Sequence, residues 1–256
     1  MVEDPRLERV YEDVELVRGT GNPFLGQLCV MSFVAYLAGD CHTDRPRCAS
    51  PVIRSMAVLI NDQMPPATRQ RLKVFVPRII GTNDGLDEAR VKILSRAVFE
   101  DILPRAARDG RQVRAVGRER SVFGRLWIGT AKRALAGRIT TALSELKAEA
   151  ECGIPSELQG EVANATALLI ALCARDAPTP HDEALYWDQA IDLLDQLCDV
   201  GAESRAWGIQ EERLEKLGKA AEAHTSDRAL RRKTAAGSSP FNFGFLFPGG
   251  TTANSG

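Results

Sequence analysis

Apolar positions along this chain recur at helical spacing almost throughout. Ser50 and Pro51 form a helix start, an N-cap side chain followed by proline at the first helical position. Val52, Met56, Leu59 and Ile60 then fall on one face, which predicts a helix to about Ile60. After Pro65 and Pro66, the residues Leu72, Phe75, Val76, Ile79 and Ile80 keep the period, with Pro77 expected to kink or interrupt it. Gly81 to Gly85 reads as a turn. From about Asp87 a stripe of Val91, Leu94, Val98 and Ile102 runs to an expected end at Pro104. Ser156-x-x-Gln159 has the form of a capping box, ahead of a seam of Leu158, Val162, Ala165, Leu169 and Leu172. Thr179 and Pro180 open the next helix, with Leu185, Ile191, Leu194, Leu197 and Cys198 for its buried side. Neither an internal repeat nor an alternating strand pattern stands out before the tail. The expected class is therefore all-α, an irregular helical bundle.

The tail differs in kind. After Arg228, Arg231, Arg232 and Lys233 the chain turns Gly/Ser/Pro-punctuated, so a helical domain is expected over residues 1–224 and a flexible or docking tail over 225–256. Phe241, Phe243, Phe245 and Phe247 alternate, which puts four rings on one face of an extended segment. Such a ridge either folds back on its own domain or docks on another chain.

Length and charge set the class. The 256 residues suffice for a core without disulfide help, and a net charge of −1 gives no overall field toward nucleic acid or membrane. The acidic, polar N-terminus lacks the form of a secretory signal, which points to the cytoplasm. Leu28 to Ala38, the longest apolar run, is too short to span a bilayer and is expected as a buried core helix with Cys29 inside it. Locally the charge is strongly divided. Between Arg105 and Arg138 ten basic residues stand against Asp109 and Glu119, and a subdivision near 105–150 fits that change. Between His181 and Glu215 ten acids stand against Arg205 and Arg213. Arg111, Arg118, Arg125 and Lys132 recur every seven residues and would line one helix face, and Asp188, Asp192, Asp195 and Asp199 follow the helical period likewise. These stripes are solvated faces, or they dock on each other within the chain or across a dimer, or the basic one grips phosphates. No DNA- or RNA-binding motif supports the last option.

Candidate chemistry concentrates between Cys29 and Gly85. Three of the six cysteines, Cys29, Cys41 and Cys48, lie there with His42 and Asp44. Cys29, His42, Asp44 and Cys48 could in principle serve a metal- or thiol-dependent reaction, yet they contain no C-x-x-C pair or other ligand spacing, so no metal and no cofactor are expected. Buried inert thiols beside a capped loop account for the same residues. His181 is expected to sit in a first helical turn with Asp182 capping backbone amides. Nucleotide, zincin, hydrolase and EF-hand signatures are missing from the sequence.

The block has a recurrent form: Cys29, then Leu37 to Gly39, His42 to Asp44, Cys48, Ser50-Pro51, Asn61-Asp62, Pro77-Arg78 and Ile80 to Thr82. In this it resembles a set of uncharacterised proteins from high-GC bacteria, a resemblance that implies a bacterial origin and carries no activity. The sequence reading is thus a non-enzymatic interaction or adaptor protein of the bacterial cytoplasm, with a protein partner or self-association expected and no membrane. A small enzyme using the Cys29, His42, Asp44 and Cys48 cluster is the alternative, and a nucleic-acid binder using the arginine stripe the third.

Overall fold

The structure is a computed structural model that describes residues 10–116, 155–205 and 208–237. After a helical turn at 10–13 come three short strands, β1 (Glu15–Leu16), β2 (Gly21–Asn22) and β3 (Gln27–Leu28). Their order is β1-β3-β2, with β1 parallel and β2 antiparallel to β3. Two-residue strands are too short for a period of two to register in a sequence, which is why none was expected. Nine helices of the described residues follow: α1 (Val30–Ala38), α2 (Pro51–Gln63), α3 (Pro66–Arg69), α4 (Val76–Ile79), α5 (Asp87–Ala97), α6 (Leu103–Val116), α7 (Ser156–Arg175), α8 (Pro180–Asp199) and α9 (Glu211–Gly237). The protein is an all-α bundle. Of the helices, α9 runs on past His224, where the change in composition placed the start of the tail.

The centre of the bundle is α2. It packs mainly against α7 and also meets α1, α5 and α8, while α7 in turn rests on α8 and α5. Val52, Ile53, Met56, Ala57 and Ile60 of α2 are fully buried, as are Ala163, Ala167 and Ile170 of α7. Each large apolar side chain buried in this way contributes about 1.5–3 kcal/mol. Gly160 allows the two helices to approach closely, since a Cβ there would lie 3.1 Å from Ser55 Oγ.

The helix starts follow sequence signals in two cases and depart from them in others. The Ser50 hydroxyl accepts from the amides of Val52 and Ile53, as the Ser-Pro pair predicts, and α2 continues to Gln63. The Thr179 hydroxyl caps α8 by accepting from Asp182 N at 3.1 Å and donating to the Asp182 carboxylate at 2.7 Å, so Thr179 rather than Asp182 covers the amide. At α7 the expected capping box is not formed: Pro155 is the N-cap, no side chain caps the helix, and Leu158 is 41% exposed instead of buried. Proline at N-cap presents no side-chain acceptor, and residues 155–158 are exposed, so the amides of this first turn face solvent.

Pro104 does not end its helix. Val98–Ile102 form a π-helical turn in which the Leu103 amide reaches back to the Val98 carbonyl, and α6 continues from Leu103 through the proline. A widened turn relieves the clash between a proline ring and the carbonyl four residues earlier, which is what stops an ordinary α-helix. Pro77 behaves as predicted, closing a 3-10 segment (Gln70–Phe75) and sitting in the first turn of α4. Cys29 is not inside a helix either: it is the N-cap of α1, its sulfur accepting from Ser32 N at 3.2 Å. Gln27 and Leu28 before it belong to β3, whose ladder bonds hold the chain extended up to that point.

Candidate functional site

The four residues of the Cys/His/Asp set occupy separate environments. Cys29 is 2% exposed with its sulfur also 3.1 Å from Ser32 Oγ; burial raises its pKa against the lowering effect of the Ser32 hydrogen bonds, and the thiol stays protonated. Cys48 is half-buried, and burial raises its pKa as well. His42 is exposed and its Nε2 lies 3.2 Å from the Gly21 carbonyl, an acceptor only, so that nitrogen carries the proton and ties the 40–48 loop to β2. Asp44 acts on Cys29 only through its charge. Among the described residues no three His, Cys, Asp or Glu side chains gather in metal-binding range. A thiolate nucleophile needs a depressed pKa and a neighbouring base, and burial works in the opposite direction at both cysteines.

Other residues of the same block hold the fold together. Asn61, fully buried, receives the Val30 amide at 3.2 Å and donates to the Val17 carbonyl at 2.8 Å, so it joins the strands to the start of α1. Thr82 receives the Ser50 amide at 2.9 Å, and the Ser50 hydroxyl donates to Asp87 at the start of α5. Arg90 is fully buried against Asp84 and Asp87 and donates to the Leu197 and Val200 carbonyls, with Arg205 donating to the Cys198 and Val200 carbonyls alongside. Two guanidiniums thereby satisfy the carbonyls left open at the end of α8. Cys198, enclosed there, has its thiol pushed up to about 12 by burial, which outweighs the lowering effect of the surrounding arginines. Nothing in the sequence beyond the spacing of Asp84, Asp87 and Arg90 signals this knot.

The acidic face of α8 meets cations among the described residues. Arg71 pairs with Asp188 at 2.6 Å, and Arg78 pairs with Asp195 and, at 2.7 Å, with Asp199. These partners come from the 70–79 segment, which crosses beside α8. Of the basic stripe, Arg111 falls in α6, while Arg118, Arg125 and Lys132 lie outside the described residues. The start of α6 does reach α8, where Tyr186 donates to Asp109 at 2.6 Å and Arg105 lies 5.7 Å over the Tyr186 ring. Phe241, Phe243, Phe245 and Phe247 also lie outside the described residues.

Two surface features were not foreseen. The first is the turn between β2 and β3. Asn22 caps a 3-10 turn over Pro23–Leu25 and Gly26 closes it at φ 62°, which leaves Phe24 85% exposed and Leu25 41% exposed. The sequence signal was present as Asn-Pro-Phe-Leu-Gly, two apolar residues between a cap and a glycine, in a turn too short to have an inside. The second is an open cleft of about 470 Å3 between α2 and α7, lined also by Asp44 and Arg45. Its polar residues follow helical spacing on α2 and so read, in sequence, as a solvated face. Among the described residues no helix is long and apolar enough to cross a membrane. No protein-family model, no curated protein and no solved structure matches this chain.

Proposed function

We propose that this chain is a non-enzymatic interaction protein of the bacterial cytoplasm, and that the Phe24–Leu25 turn is its docking element. The observation that carries this reading is Phe24, an aromatic ring 85% exposed on a braced turn. The brace is specific. Asn22 Oδ1 accepts from the Phe24 amide at 3.0 Å, the Gly26 amide donates to the Pro23 carbonyl at 3.2 Å, and Gly26 abuts Ala221 of α9. A rigid aromatic knob loses little conformational entropy when a partner's apolar socket closes over it, which is how anchor residues of interfaces behave. The ring contributes little to the fold while it is exposed, which leaves it free to serve recognition.

Replacing Phe24 with a photo-crosslinking phenylalanine analogue identifies the partner, including a second copy of this chain. With that partner in hand, Phe24→Ala should change folding stability by no more than about 0.5 kcal/mol. It should weaken the complex by about 2 kcal/mol or more, roughly 30-fold in Kd. An affinity equal to that of the unsubstituted chain would remove the turn from the interface and with it this reading.

A further inference from the structure

The cleft between α2 and α7 is independent of the Phe24 turn and has its own chemistry. At about 470 Å3 it falls within the size range of small-molecule sites. Arg54, Val58 and Asp62 lie on α2 at intervals of four residues, and Ser55, Leu59 and Gln63 form the adjoining column. Arg54 and Asp62 are therefore separated by about 12 Å of helical rise, with two half-buried apolar side chains between them. The wall is positive at one end, apolar in the middle and negative at the other.

The charged ends are available. Arg54 has no ion pair among the described residues. Asp62 accepts from Gly19 N at 3.1 Å and from Asn61 Nδ2 at 3.0 Å, bonds that fix the carboxylate; its charge also acts on Arg69, with no direct ion pair among the described residues. Opposite, α7 contributes Glu161, Asn164 and Gly160, whose missing side chain keeps the floor clear. Glycine inside a helix is disfavoured relative to alanine, and close approach to Ser55 accounts for it here. Asp44 and Glu161 make the lining net acidic despite Arg45, which strengthens its hold on a cation.

We infer that this cleft binds a small zwitterion, a carboxylate and an ammonium joined by an apolar linker. The carboxylate pairs with Arg54 beside the Ser55 hydroxyl, the linker lies on Val58 and Leu59, and the ammonium meets Asp62. Linear ω-amino acids have this form, and so do short peptides with free termini. Charge at both ends makes recognition bifunctional, so a molecule with only one end binds more weakly.

Calorimetric titration of the full chain tests this with glycine, 6-aminohexanoic acid, 8-aminooctanoic acid and dialanine, with hexanoate and hexylamine as single-ended controls. The longer ω-amino acids or dialanine should bind saturably, and whichever is tighter identifies the linker. Glycine, too short to reach both ends, and the two controls should bind at least tenfold more weakly. Arg54→Gln and Asp62→Asn should each weaken the best ligand about tenfold or more. The asparagine retains an acceptor for the Gly19 amide. Asn164→Trp, a substitution at an exposed position on the rim, should block the cleft without touching the charged ends or the core. The inference is overturned if no zwitterion binds at about 10 mM, if hexanoate or hexylamine binds as tightly as the best zwitterion, or if the substitutions leave affinity unchanged. None of these results bears on Phe24, and loss of the Phe24 interface would leave the titration as it is.

Discussion

Arg90 is the largest fully buried side chain among the described residues, and its surroundings show what a buried charge requires. All five guanidinium donors are used: Nε on Leu197 O, Nη1 on Asp84 and Asp87, and Nη2 on Asp84 and Val200 O. Burial alone would lower the arginine pKa, and the two carboxylates more than reverse it. At Asp84 burial pushes the pKa up, but the Arg90 hydrogen bonds win and hold it below the ordinary 3.8. Because the folded value is the depressed one, Asp84 stabilises the fold fully above about pH 4, and that contribution fades as pH falls through the folded value. Asp84→Asn should therefore cost about 3 kcal/mol near neutrality, the low end for breaking a buried pair, because Asp87 remains beside Arg90. Denaturant melts as a function of pH should show the difference between the two proteins shrinking below about pH 4. A difference that stays constant to pH 2 would mean the cost is packing and not charge.

Helix ends are where the elements of this bundle are joined. Ser50 caps α2 with its hydroxyl oxygen and donates the same hydroxyl to Asp87 in the first turn of α5, so one side chain starts one helix and positions another. Ser50→Ala removes both, and a loss of about 1–2 kcal/mol is expected, the upper part of the usual range for a cap. Ser50→Thr retains the hydroxyl and should recover most of that loss in the same thermal melts. If alanine costs no more than a few tenths of a kcal/mol, the link to α5 carries no weight. The ends of α1 and α8 are closed from farther away, by Gln210 N on Leu37 O and Arg213 on Asp40 O for the first, and by Arg90 and Arg205 for the second. Local caps were legible in the sequence because cap and helix are neighbours in the chain. These remote closures were not, because Arg90 reaches Leu197 across 107 residues and Arg213 reaches Asp40 across 173.

At the scale of the whole molecule, α9 clamps the strand region to the bundle. Leu214, Leu217 and Ala221 are buried on one side of it, and the helix packs on α1 and on the Pro23–Leu25 turn. Gly26 is the point of contact: φ is 62°, and a Cβ would stand 2.7 Å from the Ala221 Cβ. Gly26→Val adds a left-handed strain and a collision at once, and α9 must move away. Amide exchange over 211–223 should become much faster, while α2 and α7, which do not rest on this contact, keep their protection. Equal acceleration throughout would show that α9 belongs to the same cooperative unit as the bundle.

The helical period, the Ser50-Pro51 and Thr179-Pro180 starts and the interruption at Pro77 were written in the sequence alone, because each depends on residues within one or two turns of one another. That made the all-α class legible. Other outcomes were decided only when distant segments met. Cys29 became a cap because β3 pairs with β1 and β2 directly before it, and Pro104 was carried through by a π turn beside the core. The aspartates of α8 found Arg71 and Arg78, whose chain neighbours give no hint of α8. The candidate sites divide in the same way. The exposure of Phe24 follows from five consecutive residues, whereas the cleft exists because a second helix, 100 residues on, lies against a face of α2 that by itself resembles any solvated surface. Periodicity records which side of a helix is apolar, and only packing decides what the polar side encloses.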